Sequence, residues 1–345
     1  MFLNRKSPVL GLTVAAALTL SSGTAFAQFT GVSPEVLAAA LQEGEVTLYV
    51  SSAAPVVEAA IAGFNAAVPG IEVNALRLAT APLTTRYVQE VSAGVHEPDV
   101  VDLSATELFS THPDWFLELT AADIPVIADW PASAVEPLYI NAQQGIELIA
   151  YNTDLVTGDN IPKTWEDILD PQFKGKGMLI DPRSSNTYLS WLDQMDTAYG
   201  PEFIEKLRAQ DFTLVEGGTQ GVQQVAAGGA MLVIPPAYAH AKPFMEKGAP
   251  IAVSMPHESS DIAPIGPQHS WGIPAKAPHP NAAKVFLAWF LSEESQKINC
   301  EISGGASALI SGYDKCLDPS DAFVPAETPM TQERVDDLLG RFGLQ

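Results

Sequence analysis

Short apolar runs alternate with amphipathic stretches along most of this chain. Glu45 to Ser51, Ile71 to Leu78 and Asp99 to Leu103 read as strands. Between them lie helical patterns. Ser33-Pro34-Glu35 combines a capping hydroxyl with a first-turn proline, Pro55 opens an amphipathic run to Pro69-Gly70, and Pro82 to Ala93 forms another carrying Arg86. Beyond Pro125 the pattern is irregular, with Pro131 and Pro137, until a near-continuous apolar run from Ile146 to Tyr151. A short helix is expected at Thr164, whose hydroxyl can cap it. Strands follow at Gly177 to Asp181, Phe212 to Glu216, Ala230 to Ile234 and Ile251 to Ser254. Helices fall between them at Asn186 to Tyr199, Pro201 to Ala209, Thr219 to Ala227 and Tyr238 to Gly248. Gly266 to Ile273 is extended and apolar, Pro280 to Leu291 and Glu293 to Ile302 are helical, and a last helix covers Thr331 to Leu339. Strand–helix alternation with short links predicts α/β architecture, with a largely parallel sheet covered by helices. No internal repeat or low-complexity linker interrupts it, so two domains would have to be joined by strands that cross between them.

The first 27 residues stand apart. Arg5 and Lys6 precede an apolar core from Pro8 to Leu20, and Ala25-Phe26-Ala27 has the small–x–small form of a signal-peptidase site. The core is too short for a membrane span of about 18 apolar residues, so residues 1–27 read as a cleaved signal and the mature chain starts at Gln28. In an oxidising compartment Cys300 and Cys316 read most simply as one C-terminal disulfide, worth roughly 3 kcal/mol on the chain-entropy model; the alternative, two ligands of a metal site, lacks the tight C-x-x-C spacing and nearby histidines. Without Arg5 and Lys6 the chain keeps 16 basic against 41 acidic residues. That balance argues against nucleic acid or an anionic membrane as partner, though a local pocket can oppose the global field.

Four turns share one design, at the carboxyl end of a strand and just before a helix: Ser51-Ser52, Ser104-Ala105-Thr106, Ser184-Ser185-Asn186-Thr187 and Gly218-Thr219-Gln220. Ligands of open α/β sheets bind at that edge, and hydroxyls with unpaired helix N–H groups suit carboxylate, phosphonate or phosphate oxygens. Arg183 adjoins the densest turn. His269, Ser270 and Trp271 lie in the extended return segment, and Tyr238 heads a helix after Pro235-Pro236-Ala237. All of these are candidate ligand contacts. No nucleophile elbow, zinc-helix motif, P-loop or dinucleotide fingerprint is present, and the six histidines are scattered without metal-ligand spacing. The reading is therefore of a non-enzyme without cofactor or metal.

Several short motifs resemble one family in family order. They are Gly44-Glu45-Val46-Thr47-Leu48-Tyr49, Ala150-Tyr151-Asn152-Thr153, Pro162-Lys163-Thr164-Trp165-Glu166-Asp167, Lys174-Gly175-Lys176-Gly177, Gln223 to Gly228, and Pro278 to Lys284 leading to Leu291-Ser292-Glu293-Glu294. Together with the signal they resemble the type II periplasmic solute-binding proteins of ABC importers, in the branch that contains the ferric-iron-binding proteins. The resemblance implies two α/β lobes with a hinge of crossing strands: 28–106 plus 266–316 in one, 107–265 plus 317–345 in the other. It also implies a small-molecule ligand between them, closure on binding, a periplasmic monomer and an inner-membrane ABC permease as partner.

Iron binders of that branch carry two adjacent tyrosines where this chain has Pro235-Pro236-Ala237-Tyr238, and a His or acid where it has Ser51-Ser52-Ala53-Ala54. A hard trivalent cation wants phenolate and carboxylate oxygens. Hydroxyl and N–H donors suit a small organic anion instead, with Arg183 or Arg86 as counter-charge. The rival cargo is ferric iron held by Tyr238 with a synergistic anion. A rival from another class is a secreted hydrolase using a loop serine.

Overall fold

The computed structural model describes residues 31–104, 106–318, 323–326 and 330–344. The segment expected to be a signal peptide, residues 1–27, and Ala105 lie outside the described residues. Strands, in chain order, are β1 (Glu45–Val50), β2 (Glu72–Arg77), β3 (Val100–Leu103), β4 (Val135–Glu136), β5 (Tyr139–Gln144), β6 (Ile149–Asn152) and β7 (Gly177–Ile180). Then come β8 (Thr213–Val215), β9 (Leu232–Ile234), β10 (Ile251–Ser254), β11 (Ile265–Gly266), β12 (Gln268–Gly272), β13 (Ala306–Ser307) and β14 (Val324–Pro325). The α-helices are α1 (Pro34–Glu43), α2 (Ala54–Ala67), α3 (Thr80–Ser92), α4 (Glu107–Thr111), α5 (Asn186–Tyr199) and α6 (Pro201–Ala209). They continue with α7 (Gly218–Ala226), α8 (Tyr238–Glu246), α9 (Pro280–Phe290), α10 (Glu293–Ser303) and α11 (Gln332–Phe342).

Two sheets organise two lobes. The first runs β13-β5-β12-β3-β1-β2, with β4 on β5; the second runs β10-β6-β9-β7-β8. In the first, β1 pairs parallel with β2 and β3, while β12 is antiparallel to β3 and β5. In the second, β7 is parallel to β8 and β9, and β6 is antiparallel to β9 and β10. Helix α9 is apolar almost all round and is accordingly buried, its Phe286 against Phe64 of α2 at 5.2 Å. The second lobe's core gathers Trp165, Phe173, Trp191, Met195 and Phe203.

The lobe boundary differs from the expected one. Residues 107–144 belong with the first lobe: β5 pairs with β12, Ile124, Ile127 and Ile140 enter the first core, and the Trp130 indole donates to the Leu291 carbonyl at 3.0 Å. Proline-broken sequence hid this, because the segment is held by scattered apolar side chains rather than by a periodic element. The Thr164 helix is also absent as an α-helix. Asp167 accepts the Lys163 and Thr164 N–H groups at 2.7 and 2.8 Å, which leaves only a 3-10 turn at Asp167–Leu169. Cys300 and Cys316 form the expected disulfide.

The chain passes between lobes at 145–148 and again at 266–267, and these two crossings touch. Gly145 donates to the Pro267 carbonyl at 2.8 Å, and a Cβ on Gly266 would lie 1.9 Å from the Gly145 carbonyl oxygen. Only glycine permits that approach. Strand β14 pairs with β11, and α11 packs on α6 and α5 of the second lobe.

Candidate functional site

The carboxyl ends of β1, β3 and β7 converge on one cavity of about 1210 Å³ lined by both lobes. From the first lobe come Ser51, Ser52, Arg77, Ser104, Gln144 and His269. From the second come the Arg183–Thr187 turn, Tyr188, Tyr238 and His240, with Glu147 at the crossing between them. Three of the four expected turns therefore meet there.

The first-lobe wall is built around a carboxylate. Asp102 is fully buried, and its Oδ2 accepts the Ser51 and Ser52 N–H groups at 3.1 and 2.8 Å and the Ser52 hydroxyl at 2.6 Å. His269 Nδ1 stands 3.1 Å from Asp102 Oδ1, and a carboxylate can only accept, so that nitrogen carries the proton. Burial alone would raise the Asp102 pKa; His269 and the Ser52 donors more than offset it and hold the carboxyl below its usual range. The donors that the Ser51-Ser52 turn was expected to offer a ligand are thus engaged by the protein's own acid.

Beside this wall stands Arg77, at the end of β2. Its Nε donates to the Ser52 carbonyl at 2.8 Å, and among the described residues it has no acidic partner. Arg77 was not among the sequence candidates. Its signal was available: a cation closes the strand, and parallel pairing sets Arg77 beside Val50, at the ligand edge. Arg86 is elsewhere, bonded to Glu90 at 2.7 Å and over the Tyr49 ring, and it does not line the cavity.

Across the gap, α5 opens with Ser185, whose hydroxyl accepts the Thr187 N–H at 3.2 Å. The Ser184 hydroxyl donates to the Asp181 carbonyl at 2.7 Å. Arg183 lines the cavity with its charge partly matched by Asp181 at 2.7 Å. Asn186 is exposed at the first helical position, where backbone N–H groups point outward.

The remaining candidates separate. Thr219 is exposed and outside the cavity lining, because β8 is the edge strand and the start of α7 is covered by His240; a Cβ on Gly218 would meet its Nδ1 at 2.1 Å. Ser270 is buried and donates to Asn141 at 2.7 Å. Trp271 is buried with its ring centroid 3.9 Å from that of Phe290, in the first-lobe core rather than on the cavity wall. A register shift in the β12–β5 pairing separates both from His269, which does line the cavity. Tyr238 packs its ring onto Gly304, where a Cβ would sit 2.0 Å from Cδ1, so the phenol side chain joins α8 of one lobe to the end of α10 in the other. His240 accepts the Ala237 N–H at Nδ1, and burial lowers its pKa to about 4, so it is neutral with its proton on Nε2.

Two α/β lobes with a cavity between them and paired crossings define the class of two-lobed ligand-binding proteins. Residues 45–297 match the model of the bacterial extracellular solute-binding proteins, and the chain belongs to that family. It has the type II fold of ABC-transporter substrate-binding proteins. An uncharacterized protein of Haemophilus influenzae is 27% identical over 144 residues, a match that spans 40% of this chain and 40% of that protein. The structure of a substrate-binding protein of an ABC transporter from Agrobacterium tumefaciens is similar at a TM-score of 0.72, with 17% identity over 87% of this chain and 93% of that one. Iron-bound HitA from Pseudomonas aeruginosa gives 0.65, with 19% identity over 87% and 98%. AfuA from Actinobacillus pleuropneumoniae, with fructose-6-phosphate bound, gives 0.64, with 17% identity over 88% and 99%.

Proposed function

We propose that the protein is the periplasmic, monomeric binding component of an ABC importer, that it carries out no reaction, and that its cargo is a small organic anion such as a phosphonate, phosphate ester or carboxylate. The observation that carries the ligand class is Arg77, a cleft cation with no acidic partner among the described residues, facing the N-terminal turn of α5 across one cavity. A guanidinium and outward N–H groups recognise the same oxygens. Similar folds carry iron in one solved structure and a sugar phosphate in another, so the donor set, and not the architecture, supports this choice.

Two features weigh against the rivals. For ferric iron, no group of three or more His, Cys, Asp or Glu side chains gathers among the described residues to join Tyr238, whose ring edge packs against Gly304. For a serine hydrolase, the Ser52 hydroxyl would have to bond the histidine nitrogen opposite the one that faces the acid. Here the Ser52 hydroxyl donates to Asp102 itself, and serine and acid face the same His269 nitrogen.

A thermal-shift screen of phosphonates, phosphate esters and carboxylates tests the reading. At about 100-fold saturation a true ligand adds roughly 2.7 kcal/mol of stability, and Arg77→Gln weakens it by about tenfold or more, as loss of a charged hydrogen bond should. Binding unaffected by Arg77→Gln, or a visible iron charge-transfer band that Tyr238→Phe abolishes, would overturn it.

A further inference from the structure

Glu147 has no role in the reading above. Its side chain is buried, it lines the same cavity, and neither carboxyl oxygen has a hydrogen-bond partner. Its backbone is fixed: Glu147 donates its N–H to the Ile265 carbonyl at 2.9 Å on the neighbouring crossing, and it bridges to Ala237. Three residues earlier Gln144 also lines the cavity, and its Oε1 is a second buried acceptor without a partner. Buried polar atoms are almost always satisfied, and an acid left bare costs several kcal/mol unless a cation or donor meets it. The neighbouring lining side chains do not meet it. Tyr188 and His240 are neutral, and the two cations of the lining, Arg77 and Arg183, bond to Ser52 and Asp181.

We infer that Glu147, with Gln144, forms an ammonium subsite, so that the cargo is a small organic anion that also bears a primary amine. The inference rests on the anion reading of the cleft and deepens it. Glu147 Oε1, Glu147 Oε2 and Gln144 Oε1 are three acceptors without donors, and a primary ammonium brings three N–H donors and the charge that a buried carboxylate needs. A hydroxyl brings one donor and no charge, and an alkyl end brings neither.

Calorimetric titration with β-alanine, 3-hydroxypropionate and propionate, and with phosphoethanolamine and ethyl phosphate, tests this on the full mature chain. In each set the amine-bearing member is expected to bind at least about tenfold tighter than its analogues, because a site built to hydrogen-bond a group rejects molecules that lack it. Glu147→Gln, which keeps shape and removes the charge, is expected to level the members of each set while retaining the anion. Propionate or 3-hydroxypropionate binding as tightly as β-alanine would overturn the ammonium subsite alone, and so would an amine preference that survives in Glu147→Gln. Binding of no member of either set would overturn the anion reading and this inference with it. The comparison within each set on the unaltered protein does not depend on how the variant folds.

Discussion

Asp102 and Glu147 are both fully buried acids at the cleft, and the protein treats them in opposite ways. Asp102 is saturated by Ser51, Ser52 and His269, which keeps its pKa below the ordinary 3.8. A depressed folded value contributes stability that is complete above the unfolded pKa and disappears as pH falls through the folded one. Glu147 is pushed well above 4.5 by burial, so the folded state holds its proton longer than the unfolded chain and stability falls as pH rises from about 4.5. Urea unfolding of the unliganded protein across this range should separate the two. Asp102→Asn is expected to lose about 3 kcal/mol, with the deficit largest above pH 3.8. Glu147→Gln is expected to match the native chain in acid and to exceed it increasingly above pH 4.5. A Glu147→Gln chain that is less stable at neutral pH would mean that the carboxyl has a partner. Neither acid was legible in sequence. An Asp inside the apolar run Asp99 to Leu103 and a Glu inside Ile146 to Tyr151 look like imperfections of strand patterning, and their meaning depends on which strands become neighbours.

At the scale of elements, caps and apolar period marked α5 at Asn186–Tyr199 directly, because Ser185 performs the capping that its position advertises. The equivalent turn before α7 carries the same kind of residues and faces elsewhere, since strand order puts β8 at the sheet edge. Turn chemistry is local, whereas convergence on a cavity is a property of the order of strands. Helix α11 shows another contact that spacing could not reveal. Arg341 grips Asp196 with two bonds of 2.6 and 2.7 Å, and Arg334 reaches Asp193 at 2.6 Å and Asp196 at 2.7 Å. That pairing fixes the helix to α5 and sets Gln332, Val335 and Leu339 in the cavity lining. Asp196→Ala should leave two guanidinium groups without their shared acceptor. The expected result is about 1–3 kcal/mol of lost stability and faster amide exchange confined to Gln332–Phe342. Uniformly faster exchange throughout the chain would show that the clamp serves the whole second lobe.

For the whole molecule, two α/β lobes and crossing strands followed from the alternation and from the resemblance, while the boundary at Gly145 did not. Segment 107–144 joins the first lobe through tertiary contacts that no short window contains. The lobes meet at the paired crossings and where Tyr238 rests on Gly304. Gly304 has φ +65°, and any side chain there would both strain the backbone and drive into the Tyr238 ring. Gly304→Ala is therefore expected to cost about 1–3 kcal/mol and to raise the radius of gyration of the unliganded protein in small-angle scattering; an unchanged radius would show that this contact does not set the spacing of the lobes. Strand β12 fits between β3 and β5 although it is made long after both. During synthesis the first sheet must therefore wait with a gap in its middle, its apolar faces unsealed, until the entire inserted lobe has emerged. The inserted lobe has nearly all of its own strands by then, so the part of the protein begun first is the part finished late, and the interval is when aggregation or a holding chaperone would compete for it.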